Sequence, residues 1–163
     1  MDSINDDEMY LPSASAGEST LDKLRAELTK RVRRPEIFLE VPERPSIAVR
    51  YSPNITQNQV RAWRRNSGED TKNGMDATKF ACYVLANTCT GIMLDGELAR
   101  NERGEELVFG SDEIMKMMDA DRVQDAIRAI YVVEPHIEAT ALAVMEASGF
   151  NDSVEQVDPT KQP

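Results

Sequence analysis

Between Lys79 and Asp95 the chain runs for 15 residues, Phe80 to Leu94, without a single charge, although 29% of its residues are charged. A stretch of that kind has to be taken out of water, and it is interrupted by Asn87, Thr88, Thr90 and Gly91. It falls short of the roughly 20 apolar residues that a membrane-spanning helix needs, so it reads as the core of a globular domain. From Asp76 to about Thr90, the residues Ala77, Phe80, Ala81, Val84, Leu85 and Thr88 trace one helical face while Cys82, Ala86 and Cys89 fill another. A helix apolar nearly all round is a buried one, and a central helix is expected over 76–90, ended by Gly91.

The other elements arrange themselves about this helix. Ser19-x-x-Asp22 resembles a capping box, and Leu21, Leu24, Leu28 and Val32 recur at helical spacing up to Pro35, which predicts a basic amphipathic helix over 19–35. Residues 22–34 hold six bases against two acids; the segment reads as a solvated face or as a docking helix. Glu36 to Val41 and Ser46 to Tyr51 are β-prone runs on either side of Pro42-Glu43-Arg44-Pro45, a hairpin with a proline-bounded loop. Thr56 is placed to cap a helix with Val60 and Trp63 on its apolar side. A second hairpin, loose in register, is expected from Ile92–Leu98 and Gly104–Phe109, joined through Asn101-Glu102-Arg103-Gly104. Ser111 then caps a short helix carrying Ile114, Met115 and Met118. Val123, Ala126, Ile127, Ile130 and Tyr131 mark the next helix, and Glu134-Pro135 opens a last one whose inner stripe is Ile137, Ala141, Val144, Met145 and Ser148. Gly149-Phe150 is a fitting stop.

The organisation read from these signals is a disordered acidic tail over 1–18, the helix of 19–35, one α+β domain over 36–150, and a flexible tail over 151–163. The domain is small and mostly helical, with two β-hairpins at its periphery. The first 18 residues carry five acids and no base around a Pro-Ser-Ala-Gly run, a composition that does not repay the entropy of ordering.

Charge narrows the function. With 29 acids against 19 bases the net charge is −10, which works against general attraction to nucleic acid or anionic lipid. The N-terminus is acidic where a secretory leader starts basic, which points to a cytosol. Cys82 and Cys89, read as one helix, lie about 10.5 Å apart along it, too far for a disulfide, and act as small buried hydrophobes.

No constellation for catalysis emerges. His136 is the single histidine, and at the second position of a helix beside Glu134 it reads as a surface residue. Two cysteines and one distant histidine match no zinc spacing. The eight glycines are scattered singly, so no phosphate-binding loop exists. Glu105-Glu106 and Asp6-Asp7 sit in loops or tails, away from any concave site. Enzyme activity, cofactor and metal are therefore not expected. Arg61-Ala62-Trp63-Arg64-Arg65 offers a basic cluster around an aromatic that is able to stack on a base, but Trp63 follows Val60 on the apolar stripe and reads as core. Arg61, Arg64 and Arg65 remain as partner-contact candidates. Met117, pointing away from the face shared by Met115 and Met118, is another.

The order of these features resembles a known family. Arg34-Pro35-Glu36-Ile37-Phe38-Leu39-Glu40-Val41-Pro42-Glu43-Arg44-Pro45, then Tyr51-Ser52-Pro53-Asn54-Ile55-Thr56, then Ala62-Trp63-Arg64-Arg65 look like the tail assembly chaperones of long-tailed phages that infect actinobacteria. The helix Phe80 to Cys89, Gly96-Glu97 through Phe109-Gly110-Ser111, Val123-Gln124-Asp125-Ala126, Met145-Glu146-Ala147-Ser148-Gly149-Phe150 and Asp158-Pro159-Thr160 continue the likeness, which covers about 19–160 and rests on shared order. The resemblance implies a non-catalytic late protein of virion assembly, working in the host cytoplasm and absent from the mature virion. It implies binding to the tape measure protein, which is kept soluble while tail subunits polymerise around it. Further partners it leaves open are the major tail protein, a second copy of the chain and a frameshifted longer form; nucleic acid and membrane are not among them. Two other readings stay open: another phage morphogenesis adaptor, such as a head-to-tail connector component, and a DNA-binding regulator using the Trp63 helix.

Overall fold

A computed structural model describes residues 18–151 and 158–160. The expectations for the N-terminal tail over 1–17, and for 152–157 and 161–163 of the C-terminal tail, lie outside the described residues. The chain divides after Arg33 into two units. The first holds helix α1, Thr20–Thr29, whose N-cap Ser19 accepts a hydrogen bond from the Asp22 amide at 3.1 Å. The helix is shorter than the span to Pro35 expected from its apolar spacing. Lys30 at its C-cap is already extended, and the Lys30-Arg31 and Arg33-Arg34 pairs concentrate like charge beyond it. None of its residues is buried.

The second unit is an α+β domain. Strands β1 (Ile37–Val41), β2 (Arg44–Tyr51), β3 (Cys89–Leu94) and β4 (Glu97–Leu98) form one antiparallel sheet in the order β1-β2-β3-β4. The two expected hairpins thus share a sheet through β2 and β3. Helices α2 (Gln57–Asn66), α3 (Ala77–Thr88), α4 (Asp112–Met117), α5 (Val123–Tyr131) and α6 (Glu134–Ala147) complete it. Alternation along the strands sends Leu39, Val49, Tyr51 and Ile92 inward, where they meet Val84, Leu85, Phe109, Ile127, Tyr131 and Ile137 in a continuous core. Phe38, Ala48, Arg50 and Met93 fall on the other face.

Several boundaries differ from the sequence reading. The first hairpin turns on Pro42-Glu43 alone; Arg44 and Pro45 already belong to β2, and the register shift beside Val41 places Pro45 where no ladder hydrogen bond is demanded of it. The central helix ends at Thr88, not Thr90, and passes into β3 at Cys89 with no loop. Cys82 and Cys89 are therefore not on one helix; both are free thiols, and burial pushes each up to about 11. Gly91 is a strand residue rather than a helix stop. A Cβ there would lie 2.6 Å from Leu98 Cδ1 and 3.1 Å from Arg50 Nη2, because the Arg50 side chain crosses over it to reach the Thr90 carbonyl at 2.7 Å and Glu106 at 2.6 Å.

The second hairpin turns at Asp95-Gly96, both at positive φ, and pairs Met93 with Leu98 and Leu94 with Glu97. Residues 104–109, expected as its return strand, form no strand; they make an isolated bridge between Arg100 and Glu106, and backbone bonds run from the Leu107 amide to the Ala99 carbonyl and from the Asn101 amide to the Glu105 carbonyl. An aspartate-glycine pair is the stronger turn signal, and it takes the hairpin before Asn101–Gly104 is reached. Ser111 does precede α4, but its hydroxyl accepts from the Val108 amide at 2.9 Å instead of capping the helix.

Candidate docking groove between α3 and α6

The residues singled out for partner contact lie on separate elements. Thr56 caps α2 through a reciprocal box with Gln59, and this orients Val60 and Trp63 inward, both buried. Trp63 is thus a core residue, while Arg61, Arg64 and Arg65 line the exposed side of the helix. Arg61 donates to Asn58 at 2.9 Å and Arg64 lies 3.7 Å from Glu69. Met117 projects from α4 with 70% of its surface exposed, while Ile114 of the same helix is buried and Met118 packs against the core. Among the described residues no hydrogen bond or ion pair joins the three arginines to α4.

His136 is half-buried rather than a surface residue. Its Nδ1 is buried without a hydrogen-bond partner and lies 3.8 Å from Glu43 of the β1–β2 turn. Among the described residues no group of three histidine, cysteine, aspartate or glutamate side chains is placed to hold a metal ion, and no helix is long and apolar enough to cross a membrane.

What the structure does assemble is apolar concavity. Helices α3 and α6 pack side by side along the domain, and the seam between them opens outward into a groove of about 340 Å³. Ala77, Phe80 and Ala81 line it from α3, and Ala141, Leu142 and Met145 from α6. Met75 and Phe150 complete the lining. Alanines share the lining with larger side chains, and of these the unbranched methionines Met75 and Met145 adapt to what lies against them. Phe150 is held there by the α6 terminus: Gly149 takes φ +95, and the Phe150 amide returns to the Met145 carbonyl at 3.0 Å. Glu134, Glu138, Leu142 and Glu146 are spaced four apart on α6, and of this row Glu138 and the exposed Leu142, 58% accessible, line the groove. Glu138 is fixed by the Thr78 hydroxyl at 2.6 Å.

Most of these residues were legible as core stripe. Leu142 was not singled out, yet an apolar residue on an otherwise acidic row was the available signal. A second apolar cleft, about 200 Å³, lies between the sheet and α4–α5 and is lined by Ile47, Val49, Ile92, Phe109, Ile114, Met118 and Ile130. Arg44 at its edge is tied to the carbonyls of Ile130 and Ala129 at 2.8 and 3.3 Å, the last turn of α5, so its charge is already partly met.

The fold is similar to that of one solved structure, the crystal structure of the protein YqbN, a Northeast Structural Genomics Consortium target. The TM-score is 0.50 at 10% identity, over 75% of this chain and 91% of that one. At that identity the likeness concerns the fold alone. No protein-family model and no curated protein matches the chain.

Proposed function

We propose that the protein is a tail assembly chaperone of a long-tailed phage, a non-catalytic host-cytoplasmic factor that binds apolar helical segments of a tape measure protein and is absent from the finished particle. The observation that carries this reading is the α3/α6 groove, lined by Phe80, Leu142, Met145 and Phe150 with the Glu138 carboxylate beside them. Amphipathic helices lay their apolar face into grooves of this kind through residues spaced three and four apart. The walls are adaptable rather than shaped to one side chain, which suits a long client whose successive segments differ. Weak contacts repeated along that client supply avidity and still allow displacement by tail subunits. The order of sequence features that resembles this family supports the same reading.

The test is co-expression with the long helical product encoded downstream of the gene. The soluble fraction of that product is expected to rise with the chaperone present, and the two chains to co-purify. Replacing Leu142 by glutamate should abolish both effects. Equal solubility with and without the protein, together with no co-purification, overturns the reading and puts a connector component, recoverable from purified virions, in front.

A further inference from the structure

We propose that the α3/α6 groove of one copy takes helix α1 of a second copy. The inference rests on the groove being a helix-docking surface, as argued above, and names an occupant that the chain itself supplies.

Helix α1 carries Leu21, Leu24 and Leu28 at i, i+3 and i+7, and these are 62%, 49% and 74% exposed. A stripe with that spacing is ordinarily the buried side of a helix. Its length fits the groove. Leu21 to Leu28 spans seven residue rises, about 10.5 Å, and the groove-lining residues of α6 from Glu138 to Met145 span the same seven. Charge fits as well. Lys23, Arg25 and Lys30 flank the leucines, Arg25 and Lys30 within reach of Asp22 and Glu27 of the same segment at 3.5 and 2.9 Å and Lys23 with no ion pair among the described residues. Glu138 and Glu146 flank Leu142 one turn to either side, and Glu146 has no ion-pair partner among the described residues. More broadly, residues 34–163 carry 22 acids against 14 bases, and 19–33 carry five bases against two acids.

The connection favours another copy over the same chain. Lys30-Arg31-Val32-Arg33 holds no glycine, asparagine, aspartate or serine with which to reverse direction, and its three like charges repel one another. Pro35 further biases Arg34 to extended backbone. One ten-residue helix in a groove is small for a stable interface, and a reciprocal exchange, in which each copy gives its helix and receives the other's, doubles the contact.

Sedimentation of the full-length chain over a concentration series, at low and high salt, reads the association directly. A mass above the monomer is expected, weakening as salt rises. Two variants remove opposite halves of the contact at exposed positions: Leu24→Glu with Leu28→Glu disables the helix, and Leu142→Glu disables the groove. Each should weaken association by about tenfold or more. Mixed in equal amounts they should regain part of the association, through the one intact pairing of the second variant's helix with the first variant's groove, to a level between the wild type and either variant alone. A monomeric wild type, which would point to docking within one chain, unchanged association in either variant, or a mixture no more associated than either variant alone would overturn the proposal. The helix variant separates this from the chaperone reading. It should still keep the downstream helical product soluble in co-expression, because its groove is untouched; loss of that solubility in the wild type overturns the function, and loss in the helix variant alone overturns the assignment of α1 as a mere occupant.

Discussion

Two tyrosines at the centre of the molecule set its response to alkali. The hydroxyls of Tyr51 on β2 and Tyr131 at the end of α5 share a hydrogen bond of 2.6 Å in the core, and the Phe109 ring lies tilted to Tyr51 and edge-on to Tyr131, at centroid distances of 6.4 and 6.3 Å. Burial pushes Tyr131 up to about 12 and Tyr51 well above its ordinary value. The folded state therefore holds these protons more tightly than the unfolded chain, so their contribution is fully present below about 10 and is lost as pH rises from there towards 12. Cys82 and Cys89 act in the same sense between 9 and about 11. Stability measured by denaturant should be level through neutrality and fall steadily above pH 9. Tyr51→Phe should cost about 1–3 kcal/mol at neutral pH, by leaving the Tyr131 hydroxyl without its partner, and should flatten the alkaline fall. A variant as alkali-sensitive as the wild type would refute the assignment.

Val132 is the other residue of note. It sits at φ 71, ψ −52 in a γ-turn closed by the Val133 amide on the Tyr131 carbonyl at 2.8 Å, and it is 56% exposed. A β-branched residue there is strained. The turn persists because α5 and α6 are pinned on both sides of it, by Arg44 on the α5 carbonyls and by the Arg128–Glu134 pair at 2.6 Å. Val132→Gly should raise stability by about 1 kcal/mol in thermal or denaturant unfolding, strain relief outweighing the added freedom of the unfolded chain; a loss would show that valine packing dominates.

At the scale of elements, α3 is the helix around which the rest is built. Thr78, Ala81, Cys82, Val84, Leu85 and Thr88 are all buried in it, and Leu85→Ala should cost about 2–5 kcal/mol, read as a shift in the denaturant midpoint. Phe80 is only half-buried and lines the groove, so its truncation should cost less than that of Leu85 and, on the proposed function, weaken client binding more. The same helix shows what was legible in the chain and what was not. Its apolar residues declare burial by spacing alone, as do Val60 and Trp63 on α2 and Ile137, Ala141 and Val144 on α6. Its end did not declare itself, because Thr88, Cys89 and Thr90 suit strand as well as helix, and pairing of Tyr51 with Cys89 decides the matter across the sheet. Gly91 looked like a helix stop when its use is to let Arg50 pass. The groove is a property of two helices far apart in sequence. Each wrote its own stripe, but the gap between them appears only once α3 and α6 pack.

The whole molecule is acidic, and residues 34–163 account for most of the excess. Net charge of this size disfavours indiscriminate association, and on the proposed chaperone reading a client whose apolar helices are covered by copies of this chain would gain repulsion between neighbouring complexes. On that proposal, the solubility of the co-expressed complex should decline towards the isoelectric point near pH 4.6, a trend that turbidity would follow.

Helix α3 meets β3 without an intervening residue, Thr88 ending one and Cys89 beginning the other. Nothing slack separates a wall of the groove from an interior strand of the sheet. A guest wedged between α3 and α6 would therefore pull on the ladder itself, and amide exchange at residues 89–94, remote from any guest, should report its arrival.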